Sequence, residues 1–124
     1  ETTIHNAAQE PEVLDLANLL IKMGGKIEGA GTNKITINGV KKLQGTDYRV
    51  MSDRIETGTF LVAAAMTRGE VNLLNAEPKM SNVIINKLQE AGSEINFKRG
   101  VVSLKQRKRI TAVSFSSLFR HDVG

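Results

Sequence analysis

The sequence of 124 residues contains no cysteine and no tryptophan, and only two prolines and two histidines. Without cysteine the chain can form no disulfide, no thiolate metal site and no thiol nucleophile of its own. His5 and His121 lie far apart and give no metal-ligand spacing, so we expect no metal. No apolar run approaches the roughly 20 residues of a membrane-spanning helix, and no basic-then-apolar leader is visible. We therefore expect a cytoplasmic protein.

Aromatic residues are also scarce, with four phenylalanines and one tyrosine. So few rings give poor support to a stacking platform for single-stranded nucleic acid. The net charge of +4 is mild, and its densest cluster falls between two strand-like segments, at Lys105, Arg107, Lys108 and Arg109. We interpret this cluster as a solvated turn, and we expect neither a nucleic acid nor a membrane as a partner.

The segment YRVMSDRIETGTFLVAAAMTRG is the most informative part of the chain. Its first four residues, 48–51, form a short extended stretch that predicts a strand. Asp53 and Glu56 then suit the first turn of a helix, which a glycine ends. All seven residues of Phe60–Met66 are apolar, which leaves this helix without a polar face. We therefore predict a helix over residues 53–68 that is covered on all sides.

Three other segments alternate polar and apolar residues, as strands do in a sheet with one wet and one dry face. They are Lys34–Asn38, Glu70–Leu73 and Glu94–Lys98. A helix near residues 11–24 has only a narrow polar stripe, and one near 78–91 is amphipathic. The residues of the latter predicted to face inward are Met80, Val83, Ile84, Leu88 and Ala91. The pattern predicts an α/β fold with helices inside and sheets outside, the reverse of a doubly wound protein.

The sequence contains an internal repeat at an offset of 68 residues, where LIKMGGKI matches LQEAGSEI. Each copy is the end of a helix, a glycine and a strand, and a Glu-Pro pair opens the helix in both. We predict a βαβαββ unit, with a partial copy over residues 1–47 that lacks its leading strand and helix. A full copy over 48–113 and a tail of uncertain structure over 114–124 complete a single domain. Because the chain begins inside a repeat, we expect a piece of a longer protein.

The runs ETTIHNAAQEPEVLDLANLLIKMGGKIEGAGTNKITINGV and YRVMSDRIETGTFLVAAAMTRG resemble the middle of the UDP-N-acetylglucosamine 1-carboxyvinyltransferases, a branch of the enolpyruvyltransferase family. The resemblance covers about residues 2–113. It implies an inside-out α/β barrel built of βαβαββ repeats. It also implies transfer of the enolpyruvyl group of phosphoenolpyruvate to the 3-hydroxyl of UDP-N-acetylglucosamine, with release of phosphate, in peptidoglycan synthesis.

The resemblance implies no cofactor, and it gives the two substrates as the partners of the whole enzyme. The catalytic cysteine of the family lies in a stretch that this chain lacks. We therefore expect the chain by itself to be inactive. The open alternative from another class is a non-catalytic, folded α/β module with a structural or binding role.

Four residues match family positions beside the cleft: Glu10 and Glu12 in the QEPE motif, and Asp53 and Arg54 in the SDR motif. Each has another interpretation. The two glutamates can act on the helix dipole alone, Asp53 can serve only as an N-cap, and Arg54 can pair with one of the acids. The glycine-rich run 29–34 joins two strands, so we interpret it as a hairpin turn rather than a phosphate loop.

The sequence also departs from the family pattern in three places. His5 stands where the family usually has a glutamate, and Ser52 stands where it usually has a proline. After Val113 the chain reads SFSSLFRHDVG instead of the usual family segment. Ser52 weakens a pre-formed turn but still permits the helix that follows to be capped.

Overall fold

A computed structural model of the chain describes residues 1–77 and 81–114. The chain divides into two compact units, Glu1–Met51 and Ser52–Gly124. The first unit contains β1 (Thr2–His5), α1 (Pro11–Lys22), β2 (Lys26–Glu28) and β3 (Lys34–Asn38). The second contains α2 (Arg54–Met66), β4 (Glu70–Leu74), α3 (Asn82–Glu90), β5 (Glu94–Lys98) and β6 (Val101–Lys105). The described residues therefore form a mixed α/β structure.

The two units share one arrangement of strand, helix and hairpin. Each sheet is antiparallel, and its last strand lies in the middle, in the orders β1-β3-β2 and β4-β6-β5. The turn after the first strand is left-handed in both, with φ of 53° at Asn6 and 57° at Asn75. The repeat in the sequence is therefore a repeat of βαββ structure.

The core of the second unit lies between its sheet and its two helices. Leu61 and Ala65 of α2 meet Val102 and Leu104 of the central strand, and all four side chains are almost completely buried. The neighbouring residues of β6 are only partly buried, and the alternation predicted for Glu70–Leu73 is confirmed in β4, where Val71 and Leu73 are less exposed than their neighbours. The strand pattern thus directs one face of the sheet onto the helices.

The second unit does not cover α2 on all sides, contrary to the prediction. Phe60 is 50% exposed and Met66 is 68% exposed. The sheet and α3 cover the side of α2 that carries Leu61 and Ala65, and no described element of this unit covers the other side. A run of apolar residues therefore predicts that a helix packs against other elements, but it does not identify those elements.

The end of α2 also differs from the prediction that a glycine ends it. Arg68 has the left-handed φ of 55°, and the N–H of Gly69 donates to the carbonyl of Ala64 at 2.8 Å. The other two helices end with the same type of bond, from Gly25 to Leu20 and from Ser93 to Leu88. Arg68 thus occupies the left-handed position at which the other helix ends have glycine.

Most of the residues predicted to face inward from the third helix do so, since Leu88 and Ala91 are buried and Ile84 packs against the core. Val83 is the exception, at 65% exposed, and Ile85, which was not predicted, is buried instead. Ile85 and Leu88 are three residues apart and therefore line one side of the helix. Met80, also predicted to face inward, lies outside the described residues, as do residues 115–124 of the predicted tail.

The first unit departs from the prediction at its helix and at residues 48–51. Only Ala17 of α1 is buried, while Leu16 is 56% exposed, so α1 is not an interior helix of this unit. The predicted strand over 48–51 is wrong, because these residues have no regular structure and bond to the helix α1 instead of a sheet. The predicted hairpin is confirmed, since β2 and β3 pair and Thr32 bonds across the turn to Gly29.

Candidate functional site

Asp53 is the N-cap of α2. Its Oδ1 accepts hydrogen bonds from the backbone N–H groups of Ile55, at 2.8 Å, and Glu56, at 3.0 Å. The carbonyl of Asp53 accepts a further bond from the hydroxyl of Thr57, at 2.8 Å. The capping role expected from the sequence is confirmed. The capping bonds use Oδ1, and the second carboxylate oxygen is also a hydrogen-bond acceptor.

The same residue lines a pocket of about 330 Å³ in the second unit. The pocket lies between the first two turns of α2 and the end of β4. Its walls comprise Ser52, Asp53, Glu56, Thr57, Phe60, Asn72, Leu73, Leu74, Asn75 and Ala76. Asp53 therefore combines a structural role with a place on a concave surface, which is where small molecules bind.

The lining of this pocket favours an uncharged polar group. Among the described residues that line it, the two charged ones, Asp53 and Glu56, are both acidic, and none is a lysine or an arginine. Two carboxylates would repel a phosphate or carboxylate group in so small a space. Hydroxyl and amide groups, in contrast, can bond to the carboxylates and to Asn72 and Asn75, and an apolar face can lie on Phe60. The pocket can thus bind a polyhydroxylated or amide-bearing group.

Sequence reasoning missed both asparagines of the pocket. Asn72 lies on β4, and Asn75 is the left-handed residue of the turn that follows. A signal for Asn75 was present, because LLNA (73–76) resembles IHNA (4–7) in the first copy and asparagine tolerates the left-handed conformation better than most residues. Nothing in the local sequence of Asn72 distinguishes it from an ordinary residue on the wet face of a strand.

The four site residues from the family resemblance belong to different units. Glu10 and Glu12 open α1 in the first unit, and Asp53 and Arg54 open α2 in the second. Glu10 occupies the N-cap position, but its side chain makes no capping bond, and Pro11 is the first helical residue. Both glutamates are exposed. Each pair therefore lies at the N-terminus of a helix, and the dipole interpretation stays open for the glutamates.

The basic cluster of the second unit is partly paired with acids on neighbouring strands. Lys105 contacts Glu70 at 2.6 Å, and Arg107 contacts Glu94 at 3.1 Å. The hydrogen bond and charge of Lys105 lower the pKa of the Glu70 carboxyl. These pairs are solvent-exposed, so each adds little to stability. Their positions fit the solvated end of the sheet, where β6 ends and β4 and β5 begin.

The described residues contain neither a cluster of metal ligands nor a membrane-spanning helix. Within 1–77 and 81–114, no three histidine, aspartate or glutamate side chains gather as metal ligands do. Among the helices of the same ranges, none has both the length and the apolar character for crossing a membrane.

Comparison with known proteins gives the family. Residues 1–120 match the family described as EPSP synthase (3-phosphoshikimate 1-carboxyvinyltransferase). The chain belongs to this family. Within the EPSP synthase family, its similar curated relatives are enzymes named UDP-N-acetylglucosamine 1-carboxyvinyltransferase. That of Shewanella pealeana is 55% identical over 119 residues, and that of Shewanella halifaxensis is 54% identical over 119. The enzyme of Shewanella piezotolerans is 61% identical over 95 residues.

These matches cover most of this chain and a minor part of each relative. The alignments with the first two enzymes span 95% of the chain and 28% of the relative. For the third the values are 77% and 23%. The chain thus spans about a quarter of the length of these relatives.

Proposed function

We propose that the chain is a piece of a UDP-N-acetylglucosamine 1-carboxyvinyltransferase. The observation that carries the proposal is the 55% identity to an enzyme of that name across 95% of the chain. The whole protein would transfer the enolpyruvyl group of phosphoenolpyruvate to the 3-hydroxyl of UDP-N-acetylglucosamine, with release of phosphate. A cytoplasmic location and a role in peptidoglycan synthesis remain predictions that accompany this function.

The proposed reaction proceeds by addition and elimination. The 3-hydroxyl oxygen bonds to C2 of phosphoenolpyruvate as a general base takes the hydroxyl proton and a general acid supplies a proton to C3. The C–O bond to phosphate then breaks, a proton leaves C3, and the enol ether forms. Both substrates are anionic, so the whole protein must place cationic groups around them. Phosphate neutralisation is a task for which the acidic pocket of this chain is unsuited.

For the pocket at Asp53 we propose the uncharged part of UDP-N-acetylglucosamine as the ligand. The carboxylate of Asp53 has a second acceptor oxygen besides the one that caps the helix, and Asn72 and Asn75 add donors and acceptors. The acidic lining supports this choice, since it disfavours the diphosphate and phosphoenolpyruvate. Glu10, Glu12 and Arg54 are proposed as further residues beside the cleft, as the family pattern implies.

The whole protein is proposed to be an inside-out α/β barrel. Support comes from the apolar side chains that the two units leave exposed on their helices, among them Leu16 of α1 and Met66 of α2. Such faces are stabilised when other helices cover them, and further copies of the βαββ unit would supply helices of this kind. In this proposal residues 1–113 belong to one domain of the barrel.

The function predicts that the chain of 124 residues does not catalyse the reaction alone. It has no cysteine, and the described residues that line its pocket include no cationic side chain. Catalysis of this kind needs groups fixed on several sides of the developing charge. Phosphate release from phosphoenolpyruvate and UDP-N-acetylglucosamine should therefore equal the no-protein control for the purified chain. Turnover above that control would contradict the proposal that the chain is an incomplete part of the enzyme.

A further inference from the structure

Residues 44–51 of the first unit run back along α1 and are bonded to it at both ends. We refer to residues 44–51 as the strap. At one end the N–H of Gln44 donates to the carbonyl of Met23, just after α1, at 2.8 Å. Next, the ammonium of Lys22 donates to the carbonyl of Asp47 at 2.5 Å. The strap therefore starts at the C-terminal end of the helix.

The other end of the strap is held by one carboxylate, that of Asp15 in the second turn of α1. The hydroxyl of Tyr48 donates to Oδ1 of Asp15 at 2.9 Å, and it lies 3.1 Å from the Asp15 carbonyl oxygen. The N–H of Met51 donates to Oδ2 at 3.4 Å. Both carboxylate oxygens thus contact the strap. Hydrogen bonds to a charged acceptor are stronger than those between neutral groups, so this end of the strap, like the end at the Lys22 ammonium, has a charge-assisted attachment.

The position of this contact in the chain connects the two sequence motifs. Asp15 lies three residues after Glu12, on the helix that the QEPE motif opens. Met51 directly precedes Ser52, the first residue of the SDR motif. The Asp15 carboxylate of the first unit therefore bonds to the residue that directly precedes the SDR motif in the chain. No side chain of the contact belongs to either motif.

We propose that Asp15 and Tyr48 are positioning residues for the transferase reaction, which act by holding the strap and thereby the start of the SDR motif. The proposal rests on the proposed function. A substitution far from the reacting atoms that misplaces them by about 1 Å can lower the rate about a hundredfold. The contact would therefore affect the chemical step more than the affinity for either substrate.

The contact itself can be tested without any activity. The chain has one tyrosine and no tryptophan, so near-ultraviolet absorbance of the 124-residue chain follows the phenolate of Tyr48 alone. The hydrogen bond to Asp15, the burial of the Tyr48 hydroxyl and the negative charge of Asp15 raise the pKa of Tyr48. A raised pKa means that the contact is intact below the ordinary value, about 10, and is lost as pH rises through the higher folded value. Asp15→Ala should shift the titration midpoint down. An unchanged midpoint would overturn the proposal.

The positioning role is tested in the full-length protein by phosphate release. Tyr48→Phe removes the hydroxyl and keeps the ring, and we expect kcat to fall about tenfold with both KM values within about twofold. Asp15→Asn retains one acceptor oxygen and should restore part of the rate relative to Asp15→Ala. Asp47→Asn is the control, because Asp47 contacts Lys22 through its backbone carbonyl, and its kcat should not change.

The outcomes separate the two proposals. Absence of activity in the unsubstituted full-length protein would reject the proposed function, whatever the variants do. Activity in that protein with an unchanged kcat in Tyr48→Phe would reject the positioning role alone. A fall in kcat that follows a matching loss of thermal stability would also reject it, because the contact would then serve folding only. A lower kcat at unchanged melting temperature supports it.

Discussion

Replacement of Ala65 by lysine should unfold the second unit, whereas the same replacement at Ala63 should change its stability little. Ala65 is 1% exposed and packs in the cluster that contains Leu61 and Leu104. A lysine there must bury an unpaired ammonium group or push the helix off the sheet. We expect a loss of about 3 kcal/mol or more, a large share of the stability of a small unit. Urea unfolding of the 124-residue chain, followed by circular dichroism, measures it.

The control lies on the same helix and has the same starting side chain. Ala63 is exposed in this chain, so a lysine at that position keeps its charge in water. In the full-length protein the inside-out barrel would cover both sides of α2, and both substitutions should then destabilise the protein. Equal melting of the two variants in the isolated chain would contradict the packing of α2 described above. Tolerance of lysine at Ala63 in the full-length protein would contradict the barrel.

Replacement of Asp53 by asparagine should lower the activity of the full-length protein at least about tenfold, a change of about 1.4 kcal/mol in the barrier. Asparagine is as good an N-cap as aspartate, so the helix should lose little stability. The change removes the negative charge and turns one acceptor into a donor on the pocket wall. Steady-state phosphate release, with melting temperature as the measure of folding, separates the two effects.

Asp47→Asn provides the matched comparison, since it makes the same chemical change on an exposed carboxylate outside the pocket. We expect it to be as active as the unsubstituted protein. If Asp53→Asn also keeps full activity, Asp53 has the capping role alone. Loss of activity together with a large fall in melting temperature would likewise assign the residue to folding.

The sequence predicted the strands and the repeat better than it predicted what the helices contact. Alternation in a strand is local, so a segment such as Glu70–Leu73 shows its dry face directly. The cover of a helix depends on elements elsewhere in the chain, and Phe60–Met66 gave no information about them. The extended segment 48–51 failed as a strand because Asp15, 33 residues from Tyr48 in the sequence, provides its hydrogen bonds.

The candidate site was predictable in part. Two features of the sequence point to Asp53, namely its suitability as an N-cap and its match to the SDR motif. The structure adds that Asp53 lines a pocket. The partners that give this pocket its polar character come from β4 and the turn after it, at Asn72 and Asn75. Their approach to α2 depends on the sheet packing against the helix, which no local pattern encodes. The strap contact of Asp15 and Tyr48 was hidden for the same reason.

The choice of acceptor by the full-length protein tests the central claim most directly. The description of the matching family names 3-phosphoshikimate as the acceptor, whereas the names of the similar relatives give UDP-N-acetylglucosamine. Phosphate release from phosphoenolpyruvate should be measured with each acceptor in turn. We predict release that depends on UDP-N-acetylglucosamine and stays at the control level with 3-phosphoshikimate. Release with 3-phosphoshikimate alone, or with neither acceptor, would contradict the account.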